Sequence, residues 1–148
     1  MLTVVSPSPS VTADLAHDLR LAVMRLARRL RQTRADHGLG LGQLSVLATL
    51  DRGGPMTAGA LAALEQVRPP SLTRTLTHLE DAGLVVRSPD PDDGRQVVVS
   101  LTDEARRLVH EDRRRRDEWL ASLMRDLTPE QRRVLAEALP LLEGMADS

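Results

Sequence analysis

Apolar residues recur at helical spacing along most of this chain, and two short Val-rich runs, LVV and VVV, lie close together after residue 83. Leu15, Leu19, Ala22, Val23, Leu26 and Leu30 share one face of a 3.6-residue period. They predict a first helix from Thr12, a candidate N-cap, to about Thr33. The preceding MLTVVSPSPS has little to bury and reads as a disordered tail over 1–11. DHGLGLG breaks the helical pattern. LGQLSVLATL then predicts a short, mostly buried helix closed by Asp51, Arg52, Gly53, Gly54 and Pro55. Thr57 is placed to cap TAGALAALEQV. After Val67 and Arg68, PPSLTRTLTHLED reads as a helix whose prolines occupy the first turn, where amides lack intrahelical acceptors. Gly83 suits its left-handed cap. LVVRS and QVVVSL, separated by DPDDGR, predict a β-hairpin. Thr102 starts a long helix reaching about Arg125. Thr128, Pro129, Glu130 and Gln131 form a capping box that opens a last Leu-rich helix, with Pro140 expected to kink it.

The middle of the chain is thus helix, helix, helix, strand, turn, strand. That order predicts a winged helix-turn-helix, in which the second motif helix enters a major groove and the hairpin reaches the backbone or minor groove. The fold class expected is mainly α with a small β-hairpin wing. The winged helix-turn-helix lobe, about 41–101, accompanies a helical dimerisation lobe built from about 12–35 and 102–146, all within one domain over 12–148. In the helix beginning at Pro69, Leu72, Leu76 and Leu79 form the apolar stripe. Ser71, Arg74, Thr75 and His78 lie on another face, rich in hydrogen-bonding groups suited to phosphates and base edges.

Composition narrows the alternatives. Aromatic residues are 1 % of the chain, which leaves a single-strand binder almost nothing on which to stack bases. Without cysteine there is no disulfide, thiolate zinc site or thiol nucleophile. The net charge of −1 argues mildly against DNA, so a DNA-binding reading depends on where the charges sit. The opening residues lack a basic n-region, and no apolar run reaches membrane-spanning length, so a cytoplasmic protein without membrane contact is expected. No catalytic motif is present, the four histidines lie on separate elements, and neither enzyme activity, metal nor cofactor is expected. HEDRRRRDE, with no apolar residue between Val109 and Trp119, reads as a solvated helix linking the two lobes.

Through PPSLTRTLTHLEDAGLVVR and DPDDGRQVVVSLT the chain resembles the multiple-antibiotic-resistance regulator (MarR) family, and the flanking helices agree from about Thr12 to Met145. The resemblance implies a homodimeric repressor that releases double-stranded DNA when a small, often phenolic, molecule binds. It also implies that Ser71, Thr73, Arg74 and Thr75 contact DNA from the recognition helix, that Arg95 enters the minor groove from the wing tip, and that Asp93 orients that wing. Two positions depart from the family pattern. Arg68 stands where a small N-capping residue is common and is read as a phosphate contact instead, and Ala105 replaces a common glycine. Pro70, His78 and Thr57 complete the expected DNA-facing set, Thr57 being a helix cap first. Paired protomers should place two recognition helices about 34 Å apart on a pseudo-palindromic operator. An aromatic-acid effector is expected where the first, second and fifth helices meet, with Met24, Arg28 and Leu47 as candidates. The rival reading is a winged-helix module that binds only protein.

Overall fold

The computed structural model describes residues 9–33 and 36–147. The chain forms α1 (Pro9–Gln32), α2 (Leu41–Gly53), β1 (Met56–Thr57), α3 (Ala58–Glu65), α4 (Pro69–Asp81), β2 (Val85–Pro89), β3 (Val97–Leu101), α5 (Asp103–Arg125) and α6 (Pro129–Ala146). It divides into two compact units, one spanning 35–115 and the other combining 1–34 with 116–148.

Two expectations need correction at the start of the chain. Helix α1 begins at Pro9, so positions 9–11 are helical rather than a disordered tail, and Thr12 lies inside the helix rather than capping it. At a first helical position proline's fixed φ is already helical and its missing amide has no partner to lose. The remainder of the expected tail, 1–8, and the expected helix end at 34–35 lie outside the described residues. At the other end α6 continues through Pro140 as one element.

The hairpin forms as expected, with Val85 opposite Leu101 and Pro89 opposite Val97. It belongs to a three-stranded antiparallel sheet, however, in the order β1-β3-β2. The extra strand is the two-residue β1, which pairs Met56 with Val99 and Thr57 with Val98. A strand that short carries no detectable periodicity; only its partner defines it.

The core lies entirely in the 35–115 unit. Val46, Leu47 and Leu50 of α2, Leu61 of α3, the α4 leucines, Val85, Val99, Leu101 and, on α5, Ala105 and Val109 pack into one cluster. Each leucine or valine so withdrawn from water contributes about 1.5–3 kcal/mol. Ala105 is completely buried, so a larger group there has no room and the departure from glycine costs nothing visible. The long helix departs from expectation at one residue: Asp112, within HEDRRRRDE, is 1 % exposed. Its Oδ1 faces His37 Nε2 at 3.5 Å, while His37 Nδ1 accepts the Leu39 amide at 3.2 Å. A charged run reads as solvent-facing, and the burial of this acid, with His37 beside it, is visible only in the folded chain.

Both ends of the reading helix are set by local chemistry. Thr57 Oγ1 accepts the Ala60 amide at 3.2 Å and starts α3. That helix ends with Gln66 at φ 53°, the Gln66 amide bonding Ala63 and the Val67 amide bonding Ala62. This is a Schellman cap with glutamine in the left-handed position that usually selects glycine. The same motif closes α4 with Gly83, as expected: the Gly83 amide bonds Glu80 and the Leu84 amide bonds Leu79. Thr102 caps α5 by accepting the Ala105 amide, and its hydroxyl also donates to the Gly83 carbonyl, tying the end of α4 to the start of α5.

Candidate nucleic-acid interface

Helix α4 sorts its residues as the spacing implied. Leu72, Leu76 and Leu79 are buried at 2 %, 2 % and 0 % exposure, while Pro70, Ser71, Thr73, Arg74 and His78 are exposed and Thr75 is half-buried. Arg74 is directed away from the leucine stripe, and among the described residues it has no hydrogen-bond or ion-pair partner. Arg68, at the N-cap, makes no side-chain capping bond, and its guanidinium is likewise unpaired among the described residues. The departure seen in the sequence therefore removes a cap and leaves a cation at the helix entrance. The first turn has no acid. Asp81 is exposed but at the far end, so the positive end of the helix and its cations coincide.

Of the acids near α4, Glu80, Asp90 and Asp93 are engaged in hydrogen bonds, while Asp81 and Asp92 are exposed. Glu80 accepts from Arg87 Nε at 2.8 Å and also from the terminal guanidinium nitrogen of the same residue. This pair joins α4 to β2, and the Arg87 hydrogen bond holds the Glu80 carboxyl below the usual carboxylate range. Their opposite charges thus cancel locally. Asp90 Oδ1 accepts the Asp92 amide at 2.8 Å. Asp93 Oδ1 accepts the Arg95 amide at 3.1 Å, and its Oδ2 accepts Gln96 Nε2 at 3.4 Å. Asp93 thereby fixes the backbone that carries Arg95. The Arg95 side chain is exposed and unpaired among the described residues. Arg68, Arg74 and Arg95 remain as the available cations.

The hydroxyls are less simple than the sequence suggests. Thr73 Oγ1 donates to the Pro69 carbonyl at 3.0 Å, Thr75 to Ser71 at 3.2 Å, and Thr77 to Thr73 at 3.0 Å. Their protons are committed to the helix itself. The Ser71 hydroxyl has no such bond among the described residues. Thr57, half-buried, spends a lone pair on the Ala60 amide and keeps its proton. Three features escaped the sequence reading: exposed Thr77, the Arg87–Glu80 tie and the left-handed Gln66. Thr77 was findable, being three residues past Arg74 on the outward side. The other two depend on contacts between elements or on a single backbone angle.

The candidate effector residues do not form one site. Met24 lines a crevice of about 690 Å³ on α1 and α6, with Leu19, Val23, Leu142 and Met145 among its walls and Arg20 also lining it. Arg28 is exposed outside that lining. Leu47 is completely buried in the 35–115 core and supplies no wall to this crevice. Its place on α2 suggested a pocket, but its contacts make it core.

A helix-turn-helix with a β wing, offering unpaired arginines from the second motif helix and the wing tip, defines a DNA-binding protein of the winged-helix class. The comparisons agree. Residues 39–97 match the MarR family model. An uncharacterised HTH-type transcriptional regulator of Mycobacterium bovis is 48 % identical over 135 residues, covering 91 % of this chain and 94 % of the relative. A Pseudomonas aeruginosa protein, solved as a transcriptional regulator, superimposes with a TM-score of 0.84 at 40 % identity, over 96 % of this chain and 99 % of that one. BpsR of Bordetella bronchiseptica, whose DNA binding is regulated by 6-hydroxynicotinic acid, superimposes with a TM-score of 0.63 at 28 % identity, over 90 % and 93 % of the chains. The chain belongs to the MarR family of transcription regulators, which are DNA-binding proteins and not enzymes. Among the described residues no helix is long and apolar enough to cross a membrane, and no cluster could hold a metal ion.

Proposed function

We propose that the protein is a homodimeric, sequence-specific repressor that leaves its operator when a small aromatic acid binds. The observation that carries the DNA reading is the pair of exposed guanidiniums at Arg74 and Arg95, unpaired among the described residues, with Glu80 tied to Arg87 and Asp93 bonded to the Arg95 amide. Arg74 reads base edges, and Arg95, set by Asp93, enters the minor groove. Ser71 and Arg68 meet phosphates, with Thr57 adding a hydroxyl. His78, Thr73 and Thr75 complete the reading face, and Pro70 sits exposed in its first turn.

Dimerisation is supported by apolar surface. Leu15, Leu26, Leu123, Leu135, Leu139 and Leu142 are all exposed. A second copy covers them and the crevice on α1 and α6, and its two-fold symmetry makes the operator pseudo-palindromic. The effector reading is supported by BpsR, and it requires a ligand that binds the DNA-free arrangement more tightly than the DNA-bound one.

Titration with the DNA upstream of the protein's own gene, at two salt concentrations, tests the proposal. Preference over random DNA, with affinity falling steeply as salt rises, is the expected result. Binding with no preference supports the protein-interaction module instead. Operator release and thermal shift with a panel of aromatic acids test the effector separately, and no response to any of them leaves a regulator without that control.

A further inference from the structure

Helix α4 carries two kinds of polar group with opposite hydrogen-bonding capacity. A guanidinium has five donors and no acceptor. A threonine hydroxyl has one donor, and once that proton is committed the oxygen offers only lone pairs. Thr73 and Thr75 are in that state, donating to the Pro69 and Ser71 carbonyls four residues back. They flank Arg74 in sequence, and successive helical residues turn by about 100°. An acceptor therefore stands on each flank of Arg74, about 100° around the helix from it: Thr73, exposed, on one side and Thr75, half-buried, on the other.

We infer that α4 reads its half-site with a mixed code: Arg74 donates to a guanine, while Thr73 and Thr75 accept from exocyclic amino groups of neighbouring adenine or cytosine. This rests on the proposal that α4 enters a major groove. There, guanine presents two acceptors, N7 and O6, which match Arg74. The only base donors in that groove are the N6 amino group of adenine and the N4 amino group of cytosine. Phosphate oxygens are acceptors as well, so a threonine already bonded to its own helix has nothing to give them. To serve a phosphate it would first break the bond to its backbone. Ser71 is the contrast: its hydroxyl has no such bond among the described residues and remains available to donate. Guanine is disfavoured opposite either threonine, because acceptor would face acceptor.

The test is selection of bound fragments from a random duplex pool, using the full-length protein, Thr73→Val, Thr75→Val, Thr75→Ser and Arg74→Ala. The parent should enrich a guanine flanked by adenine or cytosine on the strand it reads. Each valine variant, which keeps the shape and loses the oxygen, should retain the guanine and lose the neighbouring preference at one position. Its affinity for the parent's best site should fall roughly five- to tenfold. Thr75→Ser should keep the preference, separating the lost oxygen from any disturbance of the helix. Replacing the contacted adenine by purine, which lacks the amino group, should cost the parent the same factor and cost Thr75→Val nothing more. If the valine variants weaken all sequences equally, or the parent binds the purine site as well as the adenine site, the code is wrong. If Arg74→Ala alone changes the motif, Arg74 reads bases and the threonine assignment falls. Enrichment of no sequence by the parent overturns the groove-reading proposal, and this inference with it.

Discussion

Two leucine stripes with identical spacing meet opposite fates in this molecule. Leu72, Leu76 and Leu79 on α4 are 2 %, 2 % and 0 % exposed. Leu135, Leu139 and Leu142 on α6, also at i, i+4 and i+7, are 46 %, 56 % and 37 % exposed. The contrast extends to the two units. Among the described residues, every buried one from Val46 to Asp112 belongs to 35–115, while α6 buries none and α1 leaves Val23 and Leu26 open. The difference teaches that periodicity reports that a face will be covered and says nothing about which chain covers it. In one unit the covering elements are the chain's own α2, α3 and sheet. In the other, under our proposal, they come from a second copy.

The strongest way to break this comparison is Leu139→Asp. If a second copy covers α6, an unpaired carboxylate enters an apolar interface twice per dimer. Analytical ultracentrifugation should then find monomers at concentrations where the parent is dimeric, and operator affinity should drop about a hundredfold or more as the two half-sites uncouple. An unchanged sedimentation coefficient would mean that something else covers α6. On the closed side, Leu76→Ala should cost about 2–5 kcal/mol by urea denaturation, because the packed core relaxes only partly around the lost atoms.

Next in size are the two arginines. Arg74→Ala should remove about 1–3 kcal/mol of discrimination between operator and random DNA, with the dimer intact. Arg95→Ala should weaken binding more evenly across sequences and lower the salt slope by about one, as measured by fluorescence anisotropy. Equal losses of preference in both variants would merge the two roles. Smaller still, Gln66→Gly should stabilise the protein by about 0.4–1 kcal/mol, since glycine adopts φ 53° without a Cβ penalty. A lower urea midpoint for this variant would mean that the glutamine side chain contributes more than its backbone angle costs.

The smallest effect concerns acid. Hydrogen bonds from Arg114 and Arg115 hold Glu111 down at about 2, and Arg87 lowers Glu80, both from a usual value of 4.5. A lowered folded value means the stabilisation is complete above about pH 4.5 and is lost as the pH falls through the folded value, near 2 for Glu111. Stability from these pairs should therefore be flat between about pH 5 and 8. Carbon-detected NMR titration should place the Glu111 midpoint at about 2, well below the usual 4.5. Both pairs are exposed, so the gain in stability is slight.

Much of the reading lobe was legible along the chain because its signals are local. Thr57, Thr128 and Gly83 cap helices through bonds to residues three to five positions away. Leu72, Leu76 and Leu79 share a face by helical pitch alone, and DPDDGR turns by its own aspartate side chains. Pro9 stands at the first helical position of α1, where its fixed φ suits a helix start. What escaped depends on partners distant in sequence. The strand at Met56–Thr57 exists only because Val98 and Val99 lie beside it. Asp112 is internal, with His37, 75 positions earlier in the chain, beside it.

By itself, then, the sequence determined which residues form helices and a wing, and which faces must leave water. The tertiary structure alone decided that Leu47 is core rather than pocket, and that Arg87 neutralises Glu80 while Arg74 stays unpaired among the described residues. The physical reason is that backbone geometry and amphipathic spacing are set within a few residues. Burial, ion pairing and the direction of a hydroxyl proton are settled only when segments far apart in the chain come into contact, or when a side chain selects one of its rotamers.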